Sequence, residues 1–327
     1  MQNLDTLLVA LRAASEHSRL RILALCSRGE LSVSELVQIL GQSQPRVSRH
    51  LKLMVEAGLL ERLPEGAQVF FRLSDYAGSS PVSRALLQLM PQTDSTLTRD
   101  YSRLQQVRDA RAQKAQDYFA TVAGSWDSIR SLYVPQTQVE QKLIELVGDE
   151  PVDELLDIGT GTGRILKLLA PSVGRGVGID LNNDMLALAR SNLEGADYAH
   201  IHVRKGDMYR LPLEDASVDL VVVHMVLHYS DHPGEVIAEA ARVLVPGGRL
   251  LLIDFAAHSE EKLRSEYKHH RLGFSDEEIG QCLKLSGYED DVDSEQLVGE
   301  PLTVKFWQAR RQGRLHRLKP MRNKAKK

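Results

Sequence analysis

The chain has 327 residues, 43% hydrophobic and 26% charged, which excludes a disordered chain and fits about two domains of ordinary size. No apolar run approaches the roughly 20 residues needed to cross a bilayer, and no basic-then-apolar leader opens the N-terminus, so no membrane partner and a cytoplasmic location are expected. Two cysteines far apart, Cys26 and Cys282, exclude a disulfide framework and a thiolate metal site, and no metal is expected; the formal charge of -3 does not by itself point to nucleic acid.

Residues 1–76 read as short helices followed by a hairpin. Ile22, Leu23 and Cys26 share one helical face, and Ser27-Arg28-Gly29 ends that helix. Ser34 is expected to cap or open a second helix carrying Leu36, Ile39 and Leu40, which stops at Gly41. Ser43 is a good N-cap for a third, with Pro45 in its first turn, Val47, Leu51, Met54 and Val55 inward, and Gly58 at its end. Strand-like runs Leu59–Leu63 and Val69–Leu73 follow, joined through Pro64-Glu65-Gly66-Ala67. This order describes a winged helix-turn-helix.

With the third helix's apolar face inward, Arg49 lies opposite, Arg46, Ser48 and Lys52 sit beside it, and His50 falls at the margin. Arg forks onto guanine and Gln onto adenine, while Ser and Lys suit phosphates or base edges. Gln44 and Arg46 occupy the N-terminal end, where a recognition helix meets the groove, and Arg62 and Arg72 on the hairpin are placed to touch the backbone of a double-stranded operator. The other reading is a solvated basic helix on a protein-binding module. The segment resembles the ArsR-type winged helix, notably in Ser18-Arg19-Leu20-Arg21-Ile22-Leu23, Glu30-Leu31-Ser32-Val33-Ser34-Glu35-Leu36 and Val47-Ser48-Arg49-His50-Leu51. That resemblance implies a homodimer on palindromic DNA. Metal-sensing members carry thiols where this chain has Ser32 and Ser34; serine is a poor ligand for soft metals, so metal sensing is not expected there.

Residues 77–134 show no strand signal. Tyr101–Val122, with Leu104, Val107, Tyr118, Phe119 and Val122 as apolar members, reads as a connecting helix that also suits dimerisation. From Val139 onward strands and helices alternate, as a parallel sheet requires, and residues 135–309 form the second domain. The strands fall at Glu154–Ile158, Arg175–Asp180, His200–Lys205, Val218–His224 and Arg249–Asp254, with helices such as Gly163–Leu169 and Met185–Leu193 between them.

The first of these strands runs into Gly159-Thr160-Gly161-Thr162-Gly163, a turn that lets a ligand approach the backbone. Alone, such a loop also fits a dinucleotide enzyme. Asp157 sits two residues before the first glycine, placed to bind an ammonium directly or through water. Asp180, followed by Leu181, ends the next strand and suits two ribose hydroxyls. Asp207 follows the third strand and suits an adenine amino group, with Met208 against the ring. These features, with Leu211-Pro212-Leu213, Asp219-Leu220-Val221-Val222, Val226-Leu227-His228-Tyr229 and Leu244-Val245-Pro246-Gly247-Gly248-Arg249-Leu250, resemble the motif series of class I S-adenosylmethionine-dependent methyltransferases, particularly the ubiquinone/menaquinone-type subgroup. The resemblance covers residues 155–255. It implies an α/β, Rossmann-like domain with a mostly parallel seven-stranded sheet, and S-adenosylmethionine or S-adenosylhomocysteine as cofactor. An NAD-binding unit would need no acid at Asp207 and spaces its last glycine one residue further on.

Methyl transfer is mainly in-line positioning, and a base is needed only for a nucleophile whose proton has a high pKa. His224, His228 and Tyr229, at or after the end of the fourth strand, lie near the active face. His224 is counted with the cofactor pocket, and His228 and Tyr229 either act in catalysis or line the pocket. His269 and His270 suit either a substrate-covering segment or a charged surface helix. Residues 310–327, without an acid, form a basic tail that is either a solvated terminus or a phosphate-contacting arm. The whole layout resembles ArsR-type regulators fused to a methyltransferase domain. It implies a regulator that senses S-adenosylmethionine or S-adenosylhomocysteine, the alternative being an active small-molecule methyltransferase with an autoregulatory DNA-binding domain.

Overall fold

Three hydrophobic cores organise the chain, one under the N-terminal helices and one on each face of a large sheet. The computed structural model describes residues 4–65, 68–74, 80–91, 93–110, 113, 135–267 and 269–313. The N-terminal unit runs α1 (Leu4–Ala14), α2 (His17–Cys26), β1 (Leu31–Ser32), α3 (Val33–Leu40), α4 (Gln44–Glu56) and the antiparallel hairpin β2 (Leu60–Glu65) and β3 (Gln68–Leu73). β1 pairs with the other edge of β3 and closes a three-stranded sheet. The helices bury Ile22, Leu23, Leu36, Ile39, Val47, Leu51 and Met54 in one cluster, at the helical spacing the sequence carries.

Ser32, not Ser34, caps α3. The Ser32 hydroxyl accepts from the Glu35 N–H at 3.3 Å while the Glu35 carboxylate accepts from the Ser32 N–H at 2.8 Å, a reciprocal capping box. Ser34 hydrogen-bonds Ser32 from inside the first turn. Ser43 occupies the N-cap position of α4 with extended backbone but makes no side-chain cap bond; Pro45 does sit in the first turn.

α5 (Ser80–Gln88) and a helix over residues 95–110, here α6, follow. α6 belongs to the N-terminal unit: Leu104 and Val107 enter its core, and Arg21 donates to the buried Asp100 at 2.8 Å. The remainder of the expected Tyr101–Val122 helix, with Tyr118, Phe119 and Val122, lies outside the described residues.

The second unit contains α7 (Gln136–Val147), β4 (Val152–Ile158), α8 (Arg164–Leu169), β5 (Val173–Asp180), α9 (Asn183–Asn192), β6 (Ile201–Lys205), β7 (Val218–His224), α10 (Pro233–Val243), β8 (Leu244–Phe255), α11 (Glu261–Tyr267), α12 (Asp276–Leu285), β9 (Asp293–Leu297) and β10 (Val304–Arg310). Its sheet has seven strands in the order β6-β5-β4-β7-β8-β10-β9. β6 through β8 are parallel neighbours, and β10 runs antiparallel to both β8 and β9. Period-two alternation sends Leu155, Val222 and Leu251 to the face covered by α7, α8 and α9. Leu156, Val223 and Leu252 go to the face covered by α10 and α12. Burial on both faces explains why these strands read as unbroken apolar runs.

Arg310 ends β10 and its guanidinium donates to Glu150 at 2.8 Å, while Arg311 bridges to Tyr288. The basic segment expected from residue 310 therefore begins later, because its first two arginines complete the sheet; residues 314–327 lie outside the described residues. Strand order reverses at β4, and the crevice beyond the carboxyl ends of β4 and β7 is where an open α/β sheet admits a ligand.

Candidate functional site

The glycine loop turns sharply out of β4. Gly159 has φ +72°, and a Cβ there would stand 2.5 Å from Val226, so this position tolerates only glycine. Val226 follows Met225, which holds φ +53°, a left-handed conformation uncommon outside glycine and often found at functional sites. Gly161, at φ +52°, has nothing within 4 Å of where a Cβ would stand, leaving room directly over the loop.

Asp157 and Asp180 converge on that loop. Asp157 is buried at the end of β4, its Oδ2 has no hydrogen-bond partner, and burial pushes its carboxyl up to about 7. Asp180 accepts from the Gly161 N–H at 2.9 Å through one oxygen and from the Asn182 N–H at 2.8 Å through the other. Each oxygen keeps a second lone pair for a ribose hydroxyl. Burial raises its pKa too, with those backbone donors acting against the shift. Thr160 is buried, Gly163 packs against Ala189, and Leu181 is exposed beside Asp180.

Asp207 lies exposed just past β6 and accepts from the Tyr209 N–H at 3.0 Å; Met208 is half-buried against the core under β7. His224 closes β7 with its Nε2 buried and without a hydrogen bond, and burial drives its pKa down to about 4, so it is neutral. An orphaned carboxylate oxygen, open space over Gly161 and a ribose-type acceptor at Asp180 fit a ligand that carries a cation beside a nucleoside.

Beyond β7 and β8 lies a constellation only partly visible in the sequence. His228 Nδ1 stands 2.8 Å from Asp254 Oδ1, and the His228 backbone N–H donates to Asp254 Oδ2 at 3.1 Å. The His269 ring stacks on His228 at 4.0 Å between centroids, and Tyr229 lies 4.3 Å from His228 on another side. Burial lowers the pKa of His269 to about 3 and raises that of Tyr229 to about 12, so both are neutral. The paired histidines are thus not a surface helix: α11 stops at Tyr267, His269 is buried, and His270 turns out to meet Asp231 at 2.6 Å. Asp254, at the end of a strand the sequence located, had gone unassigned; its register opposite the β7 terminus was the missing information.

On the N-terminal unit, Gln44, Arg46, Ser48, Arg49 and Lys52 are exposed along α4, and Arg62 is exposed on β2. Two expected DNA contacts are corrected. Arg72 is only 3% exposed, with Nη2 bonded to Glu61 at 2.7 Å and Nη1 3.8 Å from Glu30. His50 is 9% exposed and faces Glu16, and burial lowers its pKa. His50 turns inward on α4, whereas Arg72 shares with Phe70 the face of β3 that the second unit covers, so neither is placed to reach a groove.

Arg72 and Glu61 belong to a network that crosses between the units. Glu61 accepts from Arg204 of β6 at 3.3 Å, and Glu30 accepts from Arg190 of α9 at 3.2 Å. His202 of β6 lies 3.6 Å from Glu30, and Arg190 covers the Phe70 ring at 4.1 Å. Arg108 of α6 reaches Glu194 at 3.5 Å.

Comparison with known proteins matches residues 16–62 to the bacterial regulatory protein arsR family and residues 156–252 to a methyltransferase domain. The chain is 38% identical over 113 residues to a 37.1 kDa protein of transposon TN4556 from Streptomyces fradiae, covering 34% of this chain and 32% of that one. It is 29% identical to the ubiquinone/menaquinone biosynthesis C-methyltransferase UbiE of Ectopseudomonas mendocina, covering 59% and 76%. It is 31% identical to the arsenite methyltransferase of Aquipseudomonas alcaligenes, covering 43% and 41%. The chain thus spans less than half the length of two of these three relatives. Among solved structures, a SAM dependent methyltransferase from Aquifex aeolicus is 22% identical, covers 56% of this chain and 92% of that one, and superposes with a TM-score of 0.44.

Proposed function

We propose that this chain, an ArsR-type winged helix joined to a class I methyltransferase domain that binds S-adenosylmethionine or S-adenosylhomocysteine, is a cytoplasmic transcriptional regulator whose DNA affinity responds to that ligand. One observation carries the reading. The elements that pair with the wing are the elements that build the cofactor cleft. Arg190 lies on α9, which starts just after Asp180, and Arg204 lies on β6, which ends just before Asp207. A ligand that orders Asp180 and Asp207 acts on segments already bonded to Glu30 and Glu61. Coupling of this kind requires that the ligand bind the DNA-bound and free forms with different affinity.

The test is titration of the purified protein with S-adenosylhomocysteine and S-adenosylmethionine while following binding to its own promoter DNA. A shift in DNA affinity at concentrations that saturate the second domain is expected, and Glu30→Gln should keep ligand binding while losing that shift. Ligand saturation with unmoved DNA affinity in the natural protein would overturn the regulatory reading.

A second reading, methyl transfer to a small molecule, is favoured by the His228–Asp254 pair. S-adenosylmethionine supplies a methyl group already activated on a sulfonium. This chain's own residues would then orient the acceptor and hold a proton: Asp254 takes the Nδ1–H of His228, which leaves Nε2 as a base. On this reading His228→Ala lowers turnover of an acceptor by about a hundredfold without changing cofactor affinity. Equal turnover by the variant would remove His228 from the chemistry. Arsenite is disfavoured as that acceptor. The chain has two cysteines, and burial pushes the Cys26 thiol up to about 12.

A further inference from the structure

Between the two units lies a cavity of about 660 Å³, within the range of roughly 300–1,000 Å³ that small-molecule sites occupy. It is distinct from the cofactor cleft. Gly195, Ala199 and Ile201 place it at the amino end of β6, whereas Asp157, Asp180 and Asp207 stand at or beyond the carboxyl ends of β4, β5 and β6. Leu31, Leu73 and Leu104 of the winged-helix unit and Leu193, Ile201 and Val203 of the methyltransferase unit supply apolar walls.

The charge on those walls is unbalanced. Five guanidinium groups line the cavity, from Arg28, Arg72, Arg84, Arg108 and Arg190, against the carboxylates of Glu30 and Glu194 on the wall and of Glu61, which pairs with Arg72. His202, also on the wall, is held neutral by burial and by the neighbouring arginines, so it does not alter the excess. Several of the wall's polar atoms are buried without a hydrogen bond. They include Ser83 Oγ, on a side chain 1% exposed, and Arg72 Nη1 and Glu30 Oε1, which meet only as an ion pair across 3.8 Å. Buried polar atoms cost stability unless something completes their bonding. Unfilled donors, excess positive charge and apolar walls together describe a receptor for an anion with a hydrocarbon portion.

We propose that this interdomain cavity binds a small organic anion, a carboxylate or phosphate ester attached to an apolar body, at a site separate from the cofactor cleft. Its place, beside the pairs that join the wing to α9 and β6, puts such a ligand where it bears on how the units are held together.

The probe is 8-anilinonaphthalene-1-sulfonate, an amphipathic anion that fluoresces in apolar surroundings, titrated into the full chain. Saturable binding of one probe per chain is expected, unchanged by saturating S-adenosylhomocysteine. Ser83→Phe should fill the cavity and abolish it, and Arg84→Glu should weaken it about tenfold. Arg84 is exposed, so that variant carries the test if the buried Ser83→Phe fails to fold. Benzoate and benzyl phosphate should displace the probe and benzyl alcohol should not, and the stronger competitor identifies the anionic group. Equal probe affinity in the natural protein and Arg84→Glu, or displacement by S-adenosylhomocysteine, overturns the proposal.

Discussion

Asp157 is the residue whose environment says most about its work. Its carboxyl is buried, one oxygen lacks a partner, and its pKa sits at about 7, above the value of 3.8 it has in water. A raised acid pKa means the folded chain holds a proton there that the unfolded chain has released between those two values. This group's contribution to stability therefore falls as pH rises from 3.8 toward 7. A cationic ligand favours the ionised form, so binding expels that proton. Affinity for S-adenosylhomocysteine should accordingly climb by up to about tenfold per pH unit below 7 and level off above it. Calorimetric titration from pH 5.5 to 8.5 checks this, and Asp157→Asn should flatten the profile. A flat profile in the natural protein would mean that Asp157 does not meet the ligand's charge.

At the scale of elements, α4 and the hairpin divide their basic residues between two tasks. Arg49 faces outward on a helix whose opposite side is core, whereas Arg72 on β3 is clamped between Glu30 and Glu61. Arg49→Ala should weaken operator binding by about 1–3 kcal/mol and leave melting unchanged. Arg72→Ala should do the reverse in kind: it removes a shared partner from two carboxylates at an interface, leaving them Arg190 and Arg204 alone, and costs about 3 kcal/mol of stability. Melting curves and operator titrations on the two variants separate the roles. An Arg72→Ala protein that melts normally but fails on DNA would restore Arg72 to the DNA-contacting set. Much of this unit was legible from spacing, since helical periodicity and turn residues are local signals. Whether Arg72 or His50 points in or out was not, because a residue at the margin of a face is assigned by the neighbour that packs there.

For the molecule as a whole, α1 has an apolar face exposed among the described residues: Leu4 is 78% exposed, and Leu7, Leu8, Val9 and Leu11 are each more than a third exposed. A contiguous apolar patch of this kind marks an interaction surface. If the chain pairs with a second copy there, light scattering should give twice the 36.5 kDa of one chain, falling to one chain in Leu8→Glu. A monomeric natural protein would remove the homodimer that the winged-helix resemblance implies. The exposed residues of α4 would then have to read DNA as a single copy.

What the amino-acid sequence determined by itself is the character of the two units and the order of the elements around the glycine turn. The strand, glycine turn and acids at 157, 180 and 207 follow one another along the chain at spacings set by backbone geometry, and the winged helix is declared by periodicity and turn residues. The tertiary structure alone decided which residues meet across long separations. Asp254 joined His228, His269 stacked beside them, α6 returned to the N-terminal core, and Glu30 and Glu61 met Arg190 and Arg204. The physical reason is that such contacts depend on sheet order and on the docking of one unit against another. Neither leaves a periodic trace in the residues that take part.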